Sequence, residues 1–119
     1  LVAACDLFVS HAGGACAGTL AAGVPQLMFP AQYEQYLTAL RVVQLRAGVL
    51  VKPTATPRDV GGALAHLLGD PSHAAAAKAY AARYPDYTPQ EHVRRVVARI
   101  EEILAGPSRW ERRAILAPR

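Results

Sequence analysis

Short apolar runs alternate with segments of helical periodicity along most of the chain. The runs at 7–10 and 26–29 are bounded by Gly or Pro, which is typical of central parallel strands covered on both faces. A Gly-rich stretch followed by an Ala-rich one separates them and predicts a loop and a short helix. The order strand, loop, helix, strand forms one βαβ unit. A third strand is predicted at 49–51.

Four further helices are predicted by apolar spacing and by start and stop signals. The first runs from Tyr33 to about Ala47 and has Gly48 as its C-terminal cap. The second begins at Thr56-Pro57 and ends near Gly69, and the third covers 71–84. The last opens with a capping box at Thr88-Pro89-Gln90-Glu91 and continues to Leu104.

Composition places these elements in a globular protein. The 119 residues are 52% hydrophobic and 18% charged, which excludes a disordered chain and fits one domain. The first 40 residues carry only Asp6 and Glu34 as charged groups, so this third of the chain is predicted to be buried. Cys5 and Cys16 lack metal-ligand spacing, which indicates a reduced, cytoplasmic protein. Repeated Gly and Pro between residues 12 and 31 exclude a transmembrane helix there.

The stretch SHAGGACAGT is the strongest candidate for chemistry. A Gly-rich turn into a helix start exposes unpaired N–H groups and the positive end of the helix dipole, which together attract phosphate. His11 at the end of the strand could donate to an anionic oxygen. Neither the GK[ST] of a P-loop nor a GxGxxG fingerprint is present, so ATPase and hydride-transfer functions lose support.

The run CDLFVSHAGGACAGTLAAGVPQLMFPAQYEQYLTALRV resembles the donor-binding signature of GT-B glycosyltransferases, close to the macrolide and UDP-glycosyltransferase branches. The similarity is close over residues 5–48, and the ordered matches are His11, Gly13, Leu20 to Pro25, Pro30, Glu34-Gln35, Ala39 and Gly48. The resemblance implies an α/β fold with a partial Rossmann-like parallel sheet of about three strands, flanking helices and a helical C-terminal end. Residues 1–105 would form an incomplete GT-B C-terminal donor-binding domain, and 106–119 a basic tail or docking helix.

The resemblance also assigns site residues. His11 would contact the donor diphosphate, and the residues whose backbone would hold its oxygens are Gly13, Gly14, Ala15 and Cys16. Glu34 and Gln35 would bind hydroxyls of the transferred sugar. The donor would be a UDP- or dTDP-sugar. Because a His and a helix dipole can balance the diphosphate charge, no metal or cofactor is expected, and no catalytic residue is assigned within this chain.

The implied function is the donor half of an inverting, metal-independent glycosyltransferase that transfers a hexose to a hydroxyl of a small lipophilic acceptor. The acceptor domain would precede this chain, so the fragment alone is expected to be inactive. Against the family pattern, the loop is one residue short, lacks a carboxylate for the ribose, and places Thr19 too late for the phosphate-binding hydroxyl. A degenerate, non-catalytic donor module is therefore the alternative, followed by another enzyme of this fold.

Two sets of side chains outside that signature are interpreted as structural. Arg94, Arg95 and Arg99 form a basic strip interrupted by acids, so no nucleic-acid partner is expected. The remaining histidines are predicted at the surface or half-buried, without a carboxylate partner evident from the sequence; they are His66, His73 and His92.

Overall fold

The structure, a computed structural model, describes residues 2–106. It contains two compact units, of which the first ends at Pro85 and the second begins at Asp86. This division falls within the domain predicted over 1–105, whose extent stays a prediction. Residues 107–119 lie outside the described residues, and with them nearly all of the predicted tail or docking helix.

The first unit is built on a three-stranded parallel sheet, as the apolar runs predict. Its strands are β1 (Phe8–Ser10), β2 (Gln26–Met28) and β3 (Gly48–Leu50), in the spatial order β1-β2-β3. Val9 pairs with Leu27 and Leu27 with Val49. The helices of this unit are α1 (Ala15–Ala21), α2 (Tyr33–Gln44), α3 (Pro57–Gly69) and α4 (Pro71–Ala81). The second unit contains α5 (Pro89–Ala105).

Helices cover both faces of the sheet. Alternate residues of β2 point to opposite faces, so Met28 and Leu27 are buried in different clusters. The Met28 cluster joins α1, α2 and α4, and its other buried members are Ala12, Cys16, Leu20, Ala39, Val42, Ala47 and Ala77. On the opposite face Leu27 packs with Val51 and with Leu67 of α3. Burial on both faces explains why β2 is an unbroken apolar run after its first residue.

Gly48 is the first residue of β3, so its predicted role as the C-terminal cap of α2 is wrong. The helix ends at Gln44, with Leu45 as its cap, and the left-handed residue of the turn is Arg46, with φ of 59°. A Cβ at position 48 would overlap the carbonyl oxygen of Gln26 on the neighbouring strand. Close approach of two strands therefore requires this glycine.

The start of α3 has the predicted N-terminal cap. The hydroxyl of Thr56 accepts the N–H of Asp59, and the Asp59 carboxylate accepts the N–H of Thr56 at 2.8 Å. Each side chain thereby satisfies a backbone donor that the first helical turn leaves unpaired. The helix ends at Gly69, as predicted, whereas α4 ends at Ala81, three residues earlier than expected.

The start of α5 has only half of the predicted capping box. Thr88 accepts the N–H of Glu91 at 3.1 Å. The carboxylate of Glu91 instead receives hydrogen bonds from Arg94 and Arg95, at 2.9 and 3.1 Å. Part of the basic strip is thus neutralised within its own helix.

Candidate functional site

The predicted site segments follow β1 and β2 and lie at one edge of the sheet. Because the strands are parallel, the loop after β1 (11–14) and the segment after β2 (29–32) both leave the sheet at its carboxyl edge. Open α/β sheets bind ligands in the crevice outside this edge. The fold therefore places His11 and the start of α2, with Glu34 and Gln35, on the side where a ligand is expected.

The loop between β1 and α1 holds its shape through one left-handed residue. Ala12 has φ of 64°, is buried, and donates its N–H to the hydroxyl of Ser10 at 3.1 Å. The exposed His11 imidazole lies against Gly13, where an added Cβ would be 2.6 Å from its Nε2. Gly14 is the N-cap of α1, so no side chain hydrogen-bonds to the N–H groups of the first turn from the cap position. Gly13 thus leaves room for the imidazole in this position, from which an added Cβ would displace it.

Two polar groups near this loop already have hydrogen-bond partners, one in the loop and one in α1. The N–H of Cys16 donates to the carbonyl of Gly13 at 3.1 Å, and the buried Thr19 hydroxyl donates to the carbonyl of Ala15 at 2.9 Å. Thr19 therefore points into its own helix, in agreement with its late position in the sequence. The predicted contact of the Cys16 backbone with a diphosphate stays a prediction.

The Cys16 side chain is unsuited to nucleophilic chemistry. Its sulfur lies 3.9 Å from the Ser10 hydroxyl and only 2% of the residue is exposed. Burial raises the pKa of the Cys16 thiol, an effect that the hydrogen bond to Ser10 partly offsets. The thiol is therefore a core group that stays protonated at neutral pH.

Sequence reasoning missed a polar link beneath the loop. Gln26 in the central strand is fully buried, and its Nε2 donates to the carbonyl of Cys16 at 3.0 Å. Its Oε1 is buried without a hydrogen-bond partner among the described residues. A buried amide that bonds to a helix carbonyl holds that helix in register with the sheet. The only signal was one polar residue at the head of an apolar run.

The predicted sugar-binding pair lies in the first turn of α2. Gln35 accepts the N–H groups of Ala31 and Gln32 through its Oε1, at 2.9 and 3.2 Å, and so caps the helix. Its amide Nε2 is not used in that cap. Glu34 is exposed. A capping Gln beside an exposed Glu presents one donor amide and one acceptor carboxylate, the two kinds of group that recognise sugar hydroxyls.

A cavity of about 240 Å³ lies between the segments that follow β2 and β3. Its lining is apolar apart from Lys52 and backbone groups, and consists of Phe29, Pro30, Ala31, Val51, Lys52, Pro53, Ala55 and Val60. An apolar recess with one cation, at the carboxyl edge, is of the kind that binds the flat part of a ligand.

Comparison with known proteins gives the family. Residues 1–99 match the family described as Erythromycin biosynthesis protein CIII-like, C-terminal domain. The chain belongs to this family. No curated protein matched the sequence.

Solved structures agree with this family. The chain is 29% identical to Spinosyn Forosaminyltransferase SpnP, with a TM-score of 0.70, over 89% of this chain and 28% of that one. It is 27% identical to glycosyltransferase VinC in complex with dTDP, with a TM-score of 0.70, over 86% of this chain and 26% of that one. It is also 27% identical to Spinosyn Rhamnosyltransferase SpnG complexed with thymidine diphosphate, with a TM-score of 0.63, over 67% of this chain and 23% of that one. The resemblance to the C-terminal part of GT-B glycosyltransferases is thereby confirmed, together with the α/β fold.

The chain spans about a quarter of the length of these glycosyltransferase structures. Among the described helices, none is long and apolar enough to cross a membrane.

Proposed function

We propose that this chain is the sugar-donor-binding portion of an inverting, metal-independent glycosyltransferase. The whole enzyme would transfer a hexose from a nucleoside diphosphate sugar to a hydroxyl of a small lipophilic acceptor. The observation that carries the proposal is the His11 imidazole resting on Gly13 at the carboxyl edge of the sheet, in a chain of this family. Two similar structures are described with thymidine diphosphate, which favours a dTDP-sugar over a UDP-sugar as donor.

The β1–α1 loop supplies the groups that would hold the diphosphate. His11 is exposed and can donate a ring N–H to a phosphate oxygen, and Gly13, Gly14 and Ala15 leave the backbone accessible beside it. Backbone N–H groups at a helix start add partial positive charge. Donors arranged in advance stabilise the charge that develops on the leaving diphosphate. These groups could balance that charge without a metal.

In the proposed reaction, the acceptor hydroxyl attacks the anomeric carbon from the face opposite the diphosphate. The new carbon–oxygen bond forms as the bond to the diphosphate oxygen breaks, and configuration inverts. The electron pair of the broken bond leaves on the diphosphate, beside His11. The hydroxyl proton passes to a base in the acceptor domain, and this chain alone is inactive for that reason.

Glu34 and the amide nitrogen of Gln35 would orient the sugar. The Glu34 carboxylate accepts hydrogen bonds from sugar hydroxyls, and the Gln35 Nε2 donates one. Because the Gln35 carbonyl is fixed by the N–H groups of Ala31 and Gln32, its Nε2 would point in a set direction. A side chain ordered before binding loses less conformational entropy when the sugar binds.

A second candidate is a degenerate donor module that binds no nucleotide. It is favoured by the loop itself, where Cys16 N–H and the Thr19 hydroxyl are both satisfied internally. Under this alternative the fold would serve as an interaction module, and the exposed His11 would have no ligand.

Calorimetric titration with dTDP, UDP and their glucose conjugates, in the absence of divalent metal, tests the two candidates. His11→Ala should weaken dTDP binding roughly ten- to a hundredfold, because a hydrogen bond to a charged group contributes about 1.5–3 kcal/mol. His92→Ala changes an exposed His of α5 and should leave the affinity unchanged. No binding at millimolar ligand by a folded chain would contradict the donor-binding function and support the degenerate module.

A further inference from the structure

His66, Asp70 and His73 come together where α3 joins α4. His66 lies in the last turn of α3, Asp70 is the single residue between the helices, and His73 lies in the first turn of α4. One potential ligand atom from each residue lies within 4.8 Å of the other two. The expectation that His66 and His73 lack a carboxylate partner is therefore wrong, because Asp70, which caps the start of α4, lies beside both rings.

The protonation of His73 follows from its contact with a backbone carbonyl. Its Nδ1 lies 2.8 Å from the carbonyl oxygen of Arg46, which can only accept, so Nδ1 carries the proton and donates it. The Nε2 of the neutral ring then has a free lone pair. Metal-binding imidazoles are held in this manner, with the second ring nitrogen donating to a carbonyl or carboxylate. The backbone at Arg46 thus prepares His73 as a ligand.

The two rings direct Nε2 atoms at each other. These nitrogens are 3.2 Å apart, and the ring planes lie at 82°. Zinc binds imidazole nitrogen at about 2.0–2.1 Å, so two such ligands at a tetrahedral ion lie roughly 3.3 Å apart. Without an ion, the Nε2–H of His66 donates to the Nε2 of His73. The observed separation is close to that of two zinc ligands, and both rings must tilt for their Nε2 lone pairs to meet at one ion.

Asp70 supplies an oxygen ligand of fixed orientation. Its Oδ1 accepts the N–H of Ser72 at 2.8 Å, and the Ser72 side chain also hydrogen-bonds to the carboxylate. Hydrogen bonds from Ser72 lower the pKa of the Asp70 carboxyl, and the charges of His73 and His66 contribute less. The carboxyl is therefore ionised at neutral pH, as a ligand must be.

We propose that His66, Asp70 and His73 bind one Zn²⁺ ion through both Nε2 atoms and a carboxylate oxygen. Water takes the fourth position. Two imidazoles and a carboxylate match the nitrogen and oxygen preference of zinc. The ion ties the end of α3 to the start of α4, and through His73 to the turn that precedes β3. This site lies apart from the loop after β1, and its occupancy is independent of donor binding.

Calorimetric titration of the metal-free 119-residue chain with zinc chloride tests the proposal. We expect one zinc per chain, with affinity lowered at least tenfold in His66→Ala. Asp70→Asn keeps an acceptor for the Ser72 N–H while it removes the charge, so it should weaken zinc binding about tenfold without loss of the fold. His92→Ala is the matched control and should bind as the unaltered chain does.

Cobalt(II) distinguishes these ligands from the two cysteines. A cobalt complex without the thiolate charge-transfer band, in a chain whose thermal midpoint rises with added zinc, supports the nitrogen and oxygen site. His73→Ala also removes the bond to Arg46, so circular dichroism of the metal-free variants must show retained fold. The proposal would be overturned by a zinc affinity in folded His66→Ala and Asp70→Asn equal to that of the unaltered chain, by a thiolate band, or by no binding at millimolar zinc.

Discussion

Two glycines of this chain differ in what an added side chain would do to the stability of the fold. Gly48 faces the carbonyl of Gln26 on the adjacent strand, and no side chain fits between the two backbones. Gly62 lies in the exposed middle of α3, with nothing within 4 Å of an added Cβ. The first is needed for strand pairing, while the second only costs the helix conformational entropy.

Gly48→Ala should therefore destabilise the protein by about 3 kcal/mol, because overpacking against backbone forces the strands apart. Gly62→Ala, the matched control, should stabilise it by about 0.5–1 kcal/mol. Urea unfolding followed by circular dichroism measures both. Equal effects of the two substitutions would contradict the close approach at Gly48.

Helices α3 and α4 depend on aspartates for their first turns. Asp59 accepts hydrogen bonds from the backbone and hydroxyl of Thr56, and Asp70 accepts that of the Ser72 backbone. These bonds lower the pKa of Asp59 and of Asp70 below the ordinary value of 3.8. Both carboxylates thus stabilise the helices in their ionised form.

The stability of the metal-free protein should consequently fall in acid. A folded-state pKa below the unfolded one gives stability that is present above about pH 4 and lost as the pH falls through the folded-state value. The double variant Asp59→Asn/Asp70→Asn should lose less of its thermal midpoint between pH 5 and roughly pH 2 than the unaltered chain. Scanning calorimetry with chelator measures this. Identical slopes would show that the caps make no net contribution.

At the scale of the whole chain, the buried residues of the described part all lie between Ala12 and Ala77. The described part of the second unit contains one amphipathic helix, α5, whose apolar residues are exposed; they are Val93, Val96, Val97, Ile100, Ile103 and Leu104. The polar residues of α5 form local ion pairs, such as Arg99 with Glu102 at 2.7 Å. The sheet and its two layers of helices therefore have a core of their own.

A chain that ends at Pro85 should keep that core. We expect it to unfold cooperatively in urea, with the helical signal reduced by about the share of α5. The control is a chain that ends at Asp70, which lacks α4 and with it Ala77 of the Met28 cluster. A broad, non-cooperative transition in the longer of the two chains would show that the first unit needs residues beyond Pro85.

The sequence predicts correctly those structural features that depend on residues close together along the chain. The apolar runs that form the three strands and the Thr56 cap each arise within a few residues. It failed where the cause lies across the fold. The true role of Gly48 depends on a strand 22 positions earlier, and the tautomer of His73 on a carbonyl 27 positions earlier. The predicted roles of His11, Glu34 and Gln35 stay predictions, because contacts with a sugar donor are defined only when the donor is bound.

The junction of a single residue between α3 and α4 also constrains how this family can vary. Asp70 has an extended backbone, with φ of −102° and ψ of 104°, and this one residue sets the direction in which α4 leaves α3. An insertion at Asp70 would rotate Ala77 out of the core cluster and carry Lys78 and Ala81 away from Gly23. Loops elsewhere can lengthen at small entropic cost. Among homologues, insertions and deletions should thus be rare at this junction, even where the amino acids around it differ.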